Sequence, residues 1–269
     1  MSSMFRAYFP AGALGHVWKD LLVTPKDVLS RTAVEARYIL VDVGLSMVIK
    51  AFGDVEYPRF WLDKYFNIVR GLMDYKPGHV WAIVPDCPPK WSGREIEHYF
   101  SRHWRLFFKL YEELDGRFMP VIRYEGLGIW ELDMLLKNLK PYLQDFEALG
   151  LPSRPGAGLN ELWMTRVWKV REVFPDHWLH GLGAGFRRIK FLSPGLLNSI
   201  DFASTFTDMA ILKSMAKTHL GIEICHDGGS KKFTPKICDY KGLSKALLEV
   251  FLKLLEEKVG RIDYAWRQD

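Results

Sequence analysis

The stretch YILVDVGLSM, residues 38–47, runs four apolar residues straight into a carboxylate at Asp42, with Gly44 two positions further on. A short apolar run closed by a turn signal reads as a buried strand, here over about residues 38–43. A single aspartate at such a place is ordinarily a turn former or a helix cap, because its short side chain satisfies neighbouring backbone N–H groups. The arrangement recurs, however. In VWAIVPDCPP Asp86 closes a second apolar run, and in NSIDFAS Asp201 sits inside a third. Three such placements ask for a common cause.

Working outward, strand-length apolar runs alternate with longer stretches of helical spacing. PRFWLDKYFNIVRGLMDYK carries Trp61, Leu62, Tyr65, Ile68, Val69 and Leu72 at helical intervals behind a helix-starting proline. Further strands are expected at HVWAIVP, RFMPVIR, EALGL, HWLHGLG and SIDFAS, with a weaker one at GIEIC and an opening one at FRAYFPA, about eight in all. Helices are expected at about 93–114, through IWELDMLLKNLKPYL and LNELWMTRVWKVREVF, near 207–218, and at GLSKALLEVFLKLLEEK. LPSRPGAG, residues 151–158, reads as a loop.

Repeated β-α units give parallel strands with right-handed crossovers, and the count and length favour a closed (β/α)8 TIM barrel, one domain over residues 1–269, over an open doubly wound sheet. Residues just past each strand then converge on one mouth although they are distant in sequence. On this reading Asp42, Asp86, Arg123, Gly150, His180 and Asp201 form one rim.

Composition narrows the class. Hydrophobic residues make up 48% and aromatic ones 14%, enough for a large core and contrary to disorder. Thirty-seven Lys and Arg against 32 Asp and Glu give +5, which favours an anionic partner without identifying one. Three cysteines are too few for a disulfide framework and fit a reducing interior. No signal peptide and no run of membrane-spanning length is evident, so a soluble, intracellular, cytoplasmic protein with no membrane partner is expected.

Taken in order, DVGLSM, VPDCPP, MPVIRYEG, ALGLPSRPG, HWLHGLGAG and SIDFAST resemble the motif series of the tRNA-guanine transglycosylase superfamily. The likeness is closest to its short DNA-modifying members that install 7-deazaguanine bases. It covers roughly residues 35–210, and its weight lies in the order and spacing of the motifs. The resemblance implies a barrel that exchanges guanine in DNA or RNA for a 7-deazaguanine-type base through a covalent aspartyl-glycosyl intermediate. It implies Asp201 as nucleophile, Asp42 as general acid/base and Asp86 as the carboxylate that binds the guanine edge. Arg123 stands where the family usually has a base-binding glutamine, and Gly150 with Leu151 on the backbone segment that contacts the base. Leu45 and Ser46 replace a small residue and an aromatic in the first motif.

The chemistry gives these carboxylates sense independently. Breaking a glycosidic bond builds positive charge at the sugar carbon, which one carboxylate traps while another moves a proton. A duplex hides that bond, so a single-stranded or flipped-out substrate and a positive surface are required. Arg187, Arg188 and Lys190 in GFRRIK, and Lys231, Lys232 and Lys236 in GGSKKFTPK, are candidates for that surface. Family members commonly hold a structural zinc through three cysteines and a histidine; here only Cys225, His226 and Cys238 are on offer, an unrecognisable zinc spacing, so no metal or other cofactor is expected. A homodimer remains open.

Two rival functions keep the barrel: a nucleosidase or glycosylase that passes the sugar to water, and a catalytically degenerate nucleic-acid-binding barrel. His180 reads equally as a satisfied core histidine or a pocket residue. GLGAGF lacks the third glycine and the acidic partner of a dinucleotide loop, and its glycines read as close backbone packing at the barrel mouth. Trp163 and Trp168 read as core, and Cys87 as an inert buried thiol.

Overall fold

Eight short, largely apolar strands are laid down parallel and in sequence order: Arg6–Pro10 (β1), Asp20–Val23 (β2), Tyr38–Val41 (β3), Val80–Ile83 (β4), Phe118–Met119 (β5), Ala148–Pro152 (β6), Trp178–Leu182 (β7) and Ser199–Asp201 (β8). The computed structural model describes residues 4–10, 18–23, 35–53, 57–76, 78–85, 87–88, 91–115, 117–153, 160–183, 186–202, 214–221 and 240–264. Each strand pairs with its neighbours in the order β5-β4-β3-β2-β1-β8-β7-β6. A parallel bridge between Val121 and Gly150 joins the two ends of that order. The result is a closed (β/α)8 barrel, as the alternating pattern requires.

Helices Leu45–Phe52 (α1), Arg59–Tyr75 (α2), Gly93–Glu113 (α3), Ile129–Leu143 (α4), Asn160–Val173 (α5) and Tyr240–Val259 (α6) lie outside the strands. Their starts are legible in the chain. Pro58 precedes α2, and Ser92 with Glu95 forms a reciprocal capping box at α3. Among the described residues no helix is long and apolar enough to cross a membrane.

Two elements differ from the sequence expectation. The eighth strand is DLLV, residues 20–23, set between β1 and β3; it is four residues long and opens on a charge, too little for a strand signal. GIEIC falls outside the described residues apart from Gly221, and β8 pairs directly with β1 through Arg6↔Ser199 and Tyr8↔Asp201. Helix α1 has no separate signal in the sequence, because VGLSMVIKAF continues the apolar run of β3. Of the helix expected near 207–218 only the last residues, from 214, are described, and they lead into a π turn at Ala216–Leu220.

Strand alternation sorts the side chains. Tyr8, Leu22, Leu40, Trp81, Ile83, Met119, Val121 and Ala148 fill the barrel interior. The alternate positions, among them Phe9, Leu21, Ile39, Val41 and Leu149, join the larger core beneath the helices. The N-terminal end is closed by charge. Asp20 is wholly buried, and Arg37 grips both of its oxygens, Nε to Oδ1 at 2.8 Å and Nη2 to Oδ2 at 2.6 Å. Arg37 Nη1 donates to Asp263 at 2.9 Å, which ties the C-terminal segment under the barrel. Arg6 lies 3.9 Å over the Tyr38 ring. Burial pushes the Asp20 carboxyl above its usual range, and the hydrogen bonds and charge of Arg37 pull against that.

Removing one member of a buried ion pair leaves the other unpaired and costs about 3–5 kcal/mol. Asp20→Asn is therefore expected to lower the midpoint of urea unfolding by a corresponding amount with an unchanged slope; a loss below about 1 kcal/mol would mean that Arg37 is solvated rather than locked.

Candidate active site

At the opposite end, the carbonyls of the last strand residues run out of ladder partners. Side chains from the helices, and Tyr124 from the segment after β5, supply donors. Tyr65 Oη donates to Ile83 O at 2.5 Å and lies 3.1 Å from Val41 O, and Trp61 Nε1 donates to Val43 O at 3.0 Å. Tyr99 Oη reaches Pro85 O at 2.6 Å, Tyr124 Oη reaches Pro152 O at 2.6 Å, and Trp163 Nε1 shares that carbonyl at 3.1 Å. Buried backbone acceptors must be satisfied, and these aromatic donors fix the rim while doing so.

Asp201, the last residue of β8, is buried, with 2% of its surface exposed. The Gly183 N–H donates to its Oδ2 at 2.8 Å. Gly183 follows β7 with φ 67°, a left-handed turn that glycine adopts without strain. The same oxygen lies 3.4 Å from His180 Nε2. His180 is itself wholly buried, and its Nδ1 is 2.8 Å from Ser199 Oγ. Trp178 Nε1 donates to that hydroxyl at 2.7 Å. The inventory of donors orders this chain. Trp178 can only donate, and Asp201 as a carboxylate can only accept. A neutral imidazole between them carries its proton on Nε2 and receives the Ser199 hydroxyl proton at Nδ1. The edge of the imidazole meets the Tyr8 ring at 5.7 Å between centroids. Burial pushes the Tyr8 phenol up to about 12, so it stays protonated near neutral pH.

Asp42 lies one residue past β3 and is half-buried, with Oδ1 accepting the Gly44 N–H at 3.0 Å. The turn-forming role open to any strand-end aspartate is thus real for one of its oxygens. Asp42 and Asp201 share the C-terminal end of the barrel. Arg123, past β5, pairs with Glu125, and both side chains are about nine-tenths enclosed. Of the two readings open in the sequence, the structure shows the bonded interior histidine, and it places that histidine directly beside Asp201.

Several expectations are corrected. The Gly150 N–H donates to Pro120 O at 2.7 Å and its carbonyl accepts from Ile122 N–H at 2.9 Å, so both groups serve barrel closure rather than a base. The Leu151 side chain lies in the core beneath the helices, which leaves the role expected of its backbone a matter for the proposal below. Arg188 is 2% exposed, with its guanidinium 4.9 Å from the Trp163 ring centroid, and lies inside rather than on a nucleic-acid surface. Lys190 is exposed. Trp163 is core, as expected, but Trp168 is 41% exposed. The close packing expected of GLGAGF holds at Gly181, where a Cβ would meet Ser153 Oγ at 2.8 Å and Leu197 Cδ1 at 2.9 Å. Asp86, the Arg187 side chain, Lys231, Lys232, Lys236, Cys225, His226 and Cys238 lie outside the described residues. Among the described residues no cluster of three or more His, Cys, Asp or Glu could hold a metal. Ser199, Trp178 and Gly183 carry no signal of their own in the sequence, although Ser199 and Trp178 sit two positions before Asp201 and His180 on the same strand faces.

No family model matches the chain, and no curated protein matches it. Among solved structures it is similar to PhdJ bound to substrate intermediate, with TM-score 0.39 and 11% identity over 95% of this chain and 76% of that one. It is also similar to wild-type Ruminococcus gnavus sialic acid aldolase, with TM-score 0.38 and 11% identity over 96% of this chain and 100% of that one. Likeness at this level says nothing about chemistry, and the barrel assignment rests on the strand pairing itself.

The hydrogen-bond chain is testable directly. Nitrogen-15 NMR of imidazole-labelled protein is expected to show His180 as the Nε2–H tautomer. Ser199→Ala removes the group shared by Trp178 and His180, and should cost about 1–3 kcal/mol, the scale for buried polar atoms left without partners. An Nδ1–H signal in the unaltered protein would reverse the direction of the chain.

Proposed function

We propose that this barrel is a base-exchanging transglycosylase, replacing guanine in DNA or RNA with a 7-deazaguanine-type base. The observation that carries the reading is Asp201, a carboxylate fixed at a strand end by a backbone N–H and a buried histidine, with Asp42 at the same mouth. Attack on an anomeric carbon needs a carboxylate held in one orientation, and strand ends of a barrel hold groups more rigidly than loops do. The basic balance of the chain and the motif order are the further support.

In this scheme Asp201 attacks C1′, the C1′–N9 bond breaks, and Asp42 delivers a proton to the departing guanine. The incoming base then gives a proton back to Asp42 as its nitrogen attacks C1′, and the bond to Asp201 breaks. Two displacements at one carbon retain configuration. Arg123, held by Glu125, brings a donor fork suited to the O6 and N7 edge of guanine. His180 keeps the Asp201 carboxylate aligned.

Radiolabelled guanine incubated with the protein and nucleic acid tests the proposal. Label should enter the polymer; release of base without incorporation would make the protein a glycosylase. Asp201→Asn keeps the shape but should lower exchange by at least ~10³-fold, the scale for losing a covalent nucleophile. Asp42→Asn should instead accumulate a protein–nucleic acid adduct on a denaturing gel. Near-normal exchange by Asp201→Asn would remove the nucleophile and with it the proposal.

A further inference from the structure

Above the N-terminal charge network, strands β2–β6 fill the barrel with apolar side chains such as Leu22, Leu40, Trp81, Met119 and Ala148. The remaining sector is polar from end to end. Strands β1, β8 and β7 are neighbours in the ring, and they bring Arg6 and Tyr8, Ser199 and Asp201, and Trp178 and His180 together along one seam. Across the ladders Ser199 is paired with both Arg6 and His180, and Asp201 with Tyr8. Buried polar groups have to be desolvated first, so apolar residues of the same shape would serve stability as well or better. Packing alone gives no reason for such a seam, whereas its upper end does, because it finishes on Asp201.

The seam fixes the place of a proton. Trp178 Nε1 carries a hydrogen and no lone pair, so at 2.7 Å it occupies an acceptor position on Ser199 Oγ and turns the hydroxyl hydrogen elsewhere. That hydrogen goes to His180 Nδ1, 2.8 Å away. The imidazole hydrogen is left on Nε2, facing Asp201 Oδ2 at 3.4 Å, and the Gly183 N–H meets the same oxygen at 2.8 Å. In the other tautomer Nε2 would present a lone pair to a carboxylate oxygen, and the two would turn apart. Trp178 is itself held from below. The Arg6 guanidinium lies 5.5 Å from its ring centroid, and Arg6 Nε is 3.6 Å from Asp263 Oδ2 and 4.0 Å from Asp20 Oδ2.

We infer that Trp178 is a positioning residue for Asp201, which acts from the N-terminal part of the barrel by fixing the tautomer of His180. It touches neither the substrate nor the reacting atoms. This rests on the reading of Asp201 as nucleophile proposed above, and it adds that the orientation of the carboxylate is set from the end of the barrel opposite to the mouth.

The test is Trp178→Phe in the full chain, which keeps an aromatic ring beside Arg6 and removes the N–H. Nitrogen-15 NMR should show an Nδ1–H population of His180 that the unaltered protein lacks. The Gly183 amide, deprived of a fixed acceptor, should exchange its proton with solvent at least ~10-fold faster, as local order is lost. Turnover in guanine exchange should fall about 10–100-fold with KM unchanged, the scale for losing a group that orients a reacting side chain. A ring change that only loosened the packing would lower the unfolding midpoint and leave the tautomer alone. Where Trp178→Phe does not fold, 3-benzothienylalanine at position 178, a ring of the same shape with sulfur in place of the N–H, carries the same three measurements. Ser199→Ala cuts the link between the indole and the imidazole, so adding Trp178→Phe to it should cause no further loss of turnover; losses that add in full overturn the inference. An unchanged tautomer or an unchanged Gly183 amide in the position 178 variant also overturns it and leaves the proposed function standing. If both change but the unaltered protein exchanges no guanine, the positioning of Asp201 by Trp178 is upheld and the proposed function falls instead.

Discussion

Closure of the barrel depends on one residue without a side chain. β5 is only two residues long and is followed by Pro120, which has no N–H to offer a ladder. The join between β5 and β6 therefore falls to Gly150, whose N–H bonds to Pro120 and whose carbonyl accepts from Ile122. A Cβ at this position would lie 3.1 Å from both Val121 Cγ2 and Leu182 Cδ1. Glycine lets the two strands approach while the interior side chains fill the space above it. Once the ring is closed, strand alternation dictates which residues face inward, and the placement of every candidate group at the mouth follows from that count.

The two ends of the ring are built from different chemistry. At the N-terminal end a fully desolvated carboxylate is matched by a bidentate guanidinium, a second arginine stacks on Tyr38, and Asp263 brings the C-terminal segment into the network. Such a network tolerates no missing member, because a buried charge without its partner is costly. At the C-terminal end the same need for satisfaction is met by neutral donors. Tyrosine and tryptophan side chains reach the terminal strand carbonyls, while Asp42 accepts a backbone N–H and Asp201 a backbone N–H beside an imidazole.

This division explains what could be read from the chain. The barrel was legible because Tyr38–Val41, Val80–Ile83 and Ala148–Pro152 are apolar on both faces, the mark of parallel strands covered from outside. Asp42 and Asp201 were legible because a charge at the end of such a run stands out. DLLV was not, since its first residue is a charge whose partner lies 17 positions away at Arg37. Arg188 misled for a related reason. In GFRRIK it sits among basic neighbours, and nothing local records that an indole from α5 awaits it. The base-contacting role expected of Gly150 failed because backbone hydrogen bonds are spent by topology, which residue type does not disclose. Ser199 and Trp178 belong to a different category: their strand parity was available, and the alternation alone would have placed them beside His180.

The surroundings of the two acids divide their work in the proposed reaction. Asp201 sits deep, with a backbone N–H and an imidazole on the same oxygen, so its orientation is fixed before any substrate arrives. Asp42 is more open, and its Oδ1 accepts the N–H of a glycine in its own turn. A nucleophile profits from rigidity, because attack at carbon demands a narrow approach. A proton carrier must instead serve first a leaving base and then an entering one, and partial exposure suits that exchange. The depth of Asp201 also constrains the substrate: a sugar can reach this carboxylate only as a unit turned out of any stack and lowered into the mouth, which a single strand permits at far lower cost than a duplex.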